Sequence, residues 1–360
     1  MIKNKEWIWE NHLLILSLRL QYGKHHTMKK YNLLVFVFSC IATTLFAQMP
    51  VEKGLKSINR LSAEAYIQFL ADDELQGREA GQHGANLASS YIVSCLKVIG
   101  IPSLGEDYYQ PFEAYRKERQ RKGRLEVNPD SIAIIKKGVH QRYDMRNVLG
   151  MIPGKNSDEY VIVGAHFDHL GMDPMLHGDH IYNGADDNAS GVSVVLQIAK
   201  AFVETGKQPE RNVIFAFWDG EEKGLLGSKY FVQNCSFIKD IKGYLNFDMI
   251  GRNNKQEQPK HVVYFYTEAN QSFGKWLRED IKKYNLQLEP DYRPWDKPLS
   301  GSDNASFASV GIPVIWYHTD GHPDYHLPSD EPSRLNWDKI VEITKASFLN
   351  AWNLANEKDY

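Results

Sequence analysis

Asn212–Trp218 (NVIFAFW) is a short, almost wholly apolar run lacking the polar alternation of a strand with one wet face. Such a segment can only be a strand covered on both sides. Others like it follow the same logic: Asn147–Ile152 (NVLGMI), Tyr160–Ala165 (YVIVGA), Gly243–Asp248 (GYLNFD), Val262–Tyr266 and Pro313–Tyr317 (PVIWY). Helical patterns lie between and around them. Leu61, Tyr66, Phe69 and Leu70 mark an early amphipathic run. Ala85–Ile99 forms a second, stopped by Gly100-Ile101-Pro102, with a turn at Gln76–Gly81 between the two. Further helices are expected at Gly191–Thr205, Gly227–Gln233, Ser272–Tyr284 and Asp338–Ala355. Apolar strands alternating with helices imply an α/β fold, a three-layer sandwich whose mostly parallel central sheet is covered on both faces. No internal repeat or low-complexity linker interrupts it.

The chain has 360 residues, enough for one large core, with 42% hydrophobic and 24% charged residues. A net charge of -3 offers no argument for nucleic acid or an anionic membrane. The one basic run, Arg116–Arg124 (RKERQRKGR), carries a glutamate and reads as a solvated hairpin or loop. The first residues stand apart from the fold. Met28-Lys29-Lys30, the apolar run Leu33–Phe46 and the small residue of Ala47-Gln48 have the three-part layout of a secretory signal peptide. That assigns 28–48 as leader, 1–27 as an over-extended start and 49–360 as a single catalytic domain, exported to the periplasm or beyond the cell, with no stable membrane insertion after leader removal. The run is shorter than the ~20 apolar residues of a membrane span. Cys40 would allow a lipid anchor, although Phe38-Ser39 fits a lipobox poorly. Cys95 and Cys235 remain, and one disulfide or two buried thiols both fit. Two cysteines are too few for a cysteine-based zinc cluster.

In a sheet of this kind, ligands bind beyond the carboxyl ends of the strands. There the polar residues crowd: His166 and Asp168 after VIVGA, Asp186-Asp187-Asn188 before a helix, Glu221-Glu222 after NVIFAFWDG, Asp248 at the end of GYLNFD, and His326 after PVIWY. Taken singly, each reads as a cap or a surface charge. Together they form the imidazole and carboxylate mixture that zinc accepts.

The segments GAHFDHLG, NGADDNASG, FWDGEEKGLLGS, NFDMIGR and HPDYHLPSD resemble, in order and spacing, the di-zinc aminopeptidases of peptidase family M28. The resemblance runs from about Ser62 to Asp338, and ADDELQGREAG resembles the exported bacterial members. It implies a zinc-exopeptidase fold with no inserted protease-associated domain, peptide substrates, and two zinc ions per chain. By that resemblance His166 and Asp248 hold the first zinc, Glu222 and His326 the second, and Asp187 bridges them, with a cis peptide bond after it. Asp168 would hold the other nitrogen of a ligating imidazole. Glu221 would be the general base for a hydroxide shared by the two zincs, and Tyr325 would donate to the developing oxyanion.

Other polar residues carry less. His169, His177 and His180 read as part of a glycine-rich connecting loop. His318 and His322 precede His326, with His322 a weaker candidate for the site. In Gly301–Pro313, Asn304 replaces a histidine common in the family, so no role is transferred to it, and Asp303 reads as a site-orienting residue or a turn former. Three other activities stay open: a single-zinc glutaminyl cyclase, a carboxypeptidase using Arg252 or Arg293, and a non-catalytic peptide binder. The last would lack ligands or the base, and none is missing. Trp295 and Trp316 are candidates for a side-chain pocket or for the core.

Overall fold

The computed structural model describes residues 50–117, 125–295 and 300–358. The leader assigned to 28–48, the preceding extension, Cys40 and residues 118–124 of the basic run lie outside them. In chain order the strands are β1 (Tyr109–Lys117), β2 (His140–Ile152), β3 (Asn156–His166), β4 (Gly171–Met172), β5 (Ile181–Tyr182), β6 (Arg211–Trp218), β7 (Ile241–Phe247), β8 (His261–Thr267), β9 (Glu289–Trp295) and β10 (Val314–His318). The helices are α1 (Arg60–Leu70), α2 (His83–Ile99), α3 (Pro129–Ile135), α4 (Gly191–Glu204), α5 (Leu226–Asn234), α6 (Ser272–Lys283), α7 (Asn304–Ala308) and α8 (Trp337–Asn356).

Among the described residues, an eight-stranded sheet has the order β1-β2-β6-β3-β7-β10-β8-β9, with β4 and β5 forming a separate short ribbon. Its centre, β6-β3-β7-β10, is parallel, as is the β8-β9 pair. β1, β2 and the β10-β8 junction are antiparallel. The strands' period of two sorts the core. Val161, Val163, Val213, Phe215, Leu245 and Phe247 face one layer, built on α1, α2, α4 and α8 through Ile67, Leu96, Phe202 and Phe348. Ile162, Ile214, Trp218, Tyr244 and Val314 face the other, where Phe231 of α5 and Phe307 of α7 cover them. Both faces are dry. This is why the strands lack alternation.

Helix ends follow their capping chemistry. Asn59 accepts from the Ser62 N–H at the start of α1, and Asn336 from the Lys339 N–H at the start of α8. Gly100, at φ 92°, closes α2 in the left-handed conformation that glycine adopts without strain, as the GIP stop predicts. β2 begins seven residues before the expected Asn147, because its polar first half needs only β1 on one side. β1, β9, α3 and α7 are additions to the sequence reading. β1 (YQPFEAYRK) carries one proline and β9 (EPDYRPW) two, both carry charges, and each lies at a sheet edge, where these are tolerated. Arg116 and Lys117 of the basic run close β1, and the Arg116 guanidinium bonds Gln141 and the Tyr143 hydroxyl. Cys95 and Cys235 are unbonded thiols, both half-buried. Among the described residues no helix is long and apolar enough to cross a membrane.

Phe202 is 1% exposed and packs against Phe215, Phe348 and Trp352. Phe202→Ala should cost about 3–5 kcal/mol of unfolding free energy, measured by urea denaturation. Its exposed neighbour provides the control, since Val203→Ala should change stability by no more than about 0.5 kcal/mol.

Candidate metal centre

Register assembles the site. His166 ends β3 opposite Trp218 of β6, so Asp219–Glu222 leave β6 beside it. Gly164 pairs with Asn246 of β7, and Phe247 pairs with Tyr317 of β10, which brings Asp248 and His318 to the same edge. Asp187 arrives from the turn before α4, and its peptide bond to Asn188 is cis. Asn188 ties that turn to β7, donating to the Phe247 carbonyl at 2.8 Å.

Two half-sites share Asp187. His166 Nε2 stands 3.4 Å from Asp187 Oδ1 and 3.6 Å from Asp248 Oδ1. His326 Nε2 stands 3.1 Å from Asp187 Oδ2 and 3.3 Å from Glu222 Oε2. Ligand atoms about 2.0–2.1 Å from a tetrahedral zinc lie about 3.4 Å apart, so both spacings suit a metal ion. His166 Nε2 is buried without a hydrogen-bond partner, which fits a metal-ligating atom. Among the described residues, His166, Asp187 and Asp248 form one candidate metal group, and His169, Asp187 and Glu222 another.

The ionisable groups of the cluster act strongly on one another. Burial opposes a charged His166, but Asp248, Glu221, Asp168 and Asp187 outweigh it and hold its proton well above the ordinary range. His326 is pushed up to about 10, with burial again overcome by Asp187 and Glu222. Burial works to raise the Asp187 carboxyl, yet His169, His166 and His326 bring it well below the usual range. Glu221 goes the other way. Burial raises it well above an ordinary glutamate, with Asp248, Asp303 and Glu222 adding to this and His166 opposing.

The Asp168 carboxylate faces His166 Nδ1 at 3.6 Å, and the Asp168 carbonyl lies 3.2 Å from the same nitrogen. Its carboxylate oxygens also accept from the Glu221 N–H at 3.0 Å and the Glu222 N–H at 3.3 Å. Asp168 therefore holds the chain that carries the candidate base and ligand. Tyr325 is 47% exposed and stacks on His326 with ring centroids 3.8 Å apart. With Asp187, Glu221, Asp248, Trp316 and His326 it lines a cleft of about 180 Å³.

Three residues were not among the candidates. His169 is fully buried, with Nδ1 2.8 Å from Glu222 Oε1, so it belongs to the site and not to the exposed stretch that holds His177 and His180. Arg78 is also buried, and its guanidinium donates to the carbonyls of Phe167 at 2.8 Å, Asn183 at 2.6 Å, Gly184 at 3.0 Å and Leu70. Burial lowers it to about 10 against the pull of Asp187, Asp168, Asp330 and Glu222. Asp330 accepts from the Asp186 N–H at 3.0 Å and the Asp187 N–H at 2.9 Å. All three stand inside segments already quoted for the resemblance, but long-range contacts alone reveal their partners. His318 lines the cleft and contacts the Asp248 carbonyl at 2.8 Å. His322 is buried, with Nε2 3.2 Å from Asp186 Oδ2. Asp303 and Asn304 are buried at the start of α7, and burial is the first cause lifting Asp303 to about 7.

The fold and the centre define a class: an α/β protein with paired histidine–carboxylate clusters at the carboxyl edge of its central sheet. The model of peptidase family M28 matches residues 147–350, and the chain belongs to that family. It is 34% identical over 171 residues to leupeptin-inactivating enzyme 1 of Streptomyces exfoliatus, covering 47% of this chain and 34% of that one. The chain thus spans about a third of that relative's length. Its fold matches the LapA aminopeptidase of Legionella pneumophila with a TM-score of 0.63 at 20% identity, over 86% of this chain and 74% of that one. It also matches a glutaminyl cyclase of Porphyromonas gingivalis with a TM-score of 0.57 at 16% identity, over 81% and 98% of the respective chains.

Asp219, just before the candidate base, is buried with Oδ1 unpartnered and Oδ2 accepting from the Arg146 N–H at 3.1 Å. Burial first, and Asp168 second, push it up to about 8. An acid whose folded value is raised stabilises the fold below its unfolded value of about 3.9 and loses that contribution as pH rises through the folded one. Asp219→Asn keeps an acceptor for Arg146. In metal-stripped protein its Tm should therefore fall less than that of wild type between about pH 5 and 8, as read by calorimetry.

Proposed function

We propose that this chain is an exported two-zinc aminopeptidase. It would hydrolyse the N-terminal peptide bond of peptides, with Glu221 as general base. The observation that carries the reading is the division of the Asp187 carboxylate, one oxygen toward His166 and Asp248, the other toward His326 and Glu222, with Glu221 facing the same cleft.

His166, Asp187 and Asp248 would hold one zinc, and Asp187, Glu222 and His326 the second. Zinc at such positions supplies Lewis acidity, polarising a carbonyl and acidifying water so that hydroxide is available near neutral pH. The chain's own groups do the rest. Glu221, whose burial gives it a high proton affinity, accepts the proton of the attacking water and returns it to the leaving amine. Asp168 fixes the backbone of Glu221 and Glu222, so base and ligand move as one unit. Tyr325, on the cleft wall, is placed to donate to the oxygen that gains charge.

Charge supports the amino end of the substrate over the carboxyl end. The cleft offers Asp187, Glu221 and Asp248, which suit an ammonium group. Neither guanidinium considered for a substrate carboxylate lines the cleft, and each already pairs with acids, Arg252 with Asp324 at 2.5 Å and Arg293 with Asp291 at 2.7 Å and Asp320 at 3.0 Å. Trp316 in the cleft wall supports a preference for apolar first residues, whereas Trp295 lies 40% exposed at the end of β9.

Amino-acid p-nitroanilides and their N-acetylated forms test the assignment. Activity on the free amine, lost on acetylation, is the expected outcome, and equal cleavage of both rules out an aminopeptidase. One zinc per chain, with N-terminal glutamine converted to a pyroglutamyl peptide and ammonia released but no peptide-bond hydrolysis, would make the protein a cyclase. Glu221→Gln should lower kcat by about 10²–10⁴ while zinc content, measured by atomic emission, stays at the wild-type level. Chelation should abolish hydrolysis and lower Tm, and added zinc should restore both, because a ligand bound only by the folded state stabilises it.

A further inference from the structure

His169 has two possible relations to the centre, and the distances separate them. An imidazole that shares a metal with two carboxylates stands at similar distances from both, near the 3.1 Å and 3.3 Å of His326. His169 Nδ1 is instead 2.8 Å from Glu222 Oε1 and 3.8 Å from Asp187 Oδ2. The first distance is too short for two ligands on one tetrahedral zinc, which stand about 3.4 Å apart. It falls within the about 2.7–2.9 Å of a charge-assisted N–H···O⁻ hydrogen bond. An ionised carboxylate can only accept, so the proton sits on Nδ1. The two oxygens of Glu222 are then divided: Oε1 is held by His169, and Oε2 is turned to His326 and Asp187.

The ring has little freedom to leave this position. The His169 N–H donates to the Arg78 carbonyl at 3.0 Å, and His169 bridges Glu79. Its other flank meets the chain at Gly184, where a Cβ would come within 2.6 Å of the ring. Gly184 is also held by the Arg78 guanidinium. The residue that anchors the loop thus also anchors the imidazole.

From this geometry, and resting on the two-zinc reading above, we propose that His169 is a positioning residue for the second metal. It locks Glu222 into one-oxygen presentation and is not itself a ligand. A partner of this kind to a metal-bound group is commonly worth about 10–100-fold in metal affinity.

The test titrates chelator-stripped protein with zinc against a chromophoric competitor. Wild type should take up two zincs. His169→Ala should keep the first at wild-type affinity and bind the second about 10–100-fold more weakly. His169→Asn, whose amide nitrogen falls near the Nδ1 position, should recover most of that loss. His169→Gln, whose amide nitrogen falls near the Nε2 position, should not. If His169→Ala fails to fold by circular dichroism, the Asn and Gln pair decides alone. Unchanged affinity in His169→Ala overturns the proposal. So does an equal loss in the Asn and Gln variants, which would make the imidazole a ligand. Wild type that takes up a single zinc sinks the two-zinc reading itself, and this inference with it.

Discussion

Everything at the carboxyl edge of the sheet follows from one constraint: four carboxylates and three imidazoles share a largely dry space. Asp187, Glu221, Glu222 and Asp248 would repel one another strongly there, because burial weakens the screening that water provides. The structure answers with protons and hydrogen bonds. His166 and His326 hold protons more firmly than free imidazoles, and Glu221 holds one more firmly than a free glutamate. A divalent cation at each half-site would take over that neutralising work, which connects metal binding to the stability of the edge itself.

A second ring of groups keeps the first in place, through backbone more than side chain. Asp168 and Asp330 each accept from two successive N–H groups, and those N–H groups belong to Glu221 and Glu222 in one case and to Asp186 and Asp187 in the other. Arg78 does the complementary task by donating to carbonyls on both sides of the loop. Loops outside the sheet ends would otherwise be free to move, and a site about an ångström too loose loses much of its chemistry. Fixing the backbone also leaves the functional carboxylates free to face the cleft.

The two edges of the sheet show how far a sequence pattern reaches. β6, β3 and β7 are dry on both faces, so their apolar runs identify them, with limits within a residue or two for β6 and β7, while β3 starts four residues before its apolar run, at Asn156. β1 and β9 are sheet edges with one open side, and proline and charges disguise them as loops. The short helix α7 is hidden because it has only five residues and is recognisable mainly by Phe307, which packs on the face that carries Trp218 and Tyr244.

The types of residue in the centre and the strand ends that carry them were legible in the chain alone, because metal chemistry restricts them to imidazole and carboxylate and the fold restricts them to one edge. So was the meeting of Asp187, Glu221 and Glu222 at that edge, through the motifs that surround them. Three things waited for the tertiary structure. Asp168 braces the backbone of Glu221 and Glu222, His169 contacts Glu222, and Arg78 ties together segments about a hundred residues apart. Each depends on a distance between atoms far apart in sequence. A motif records which groups are present, but which oxygen faces which nitrogen is set only when the register of the strands and the packing of the loops bring them together.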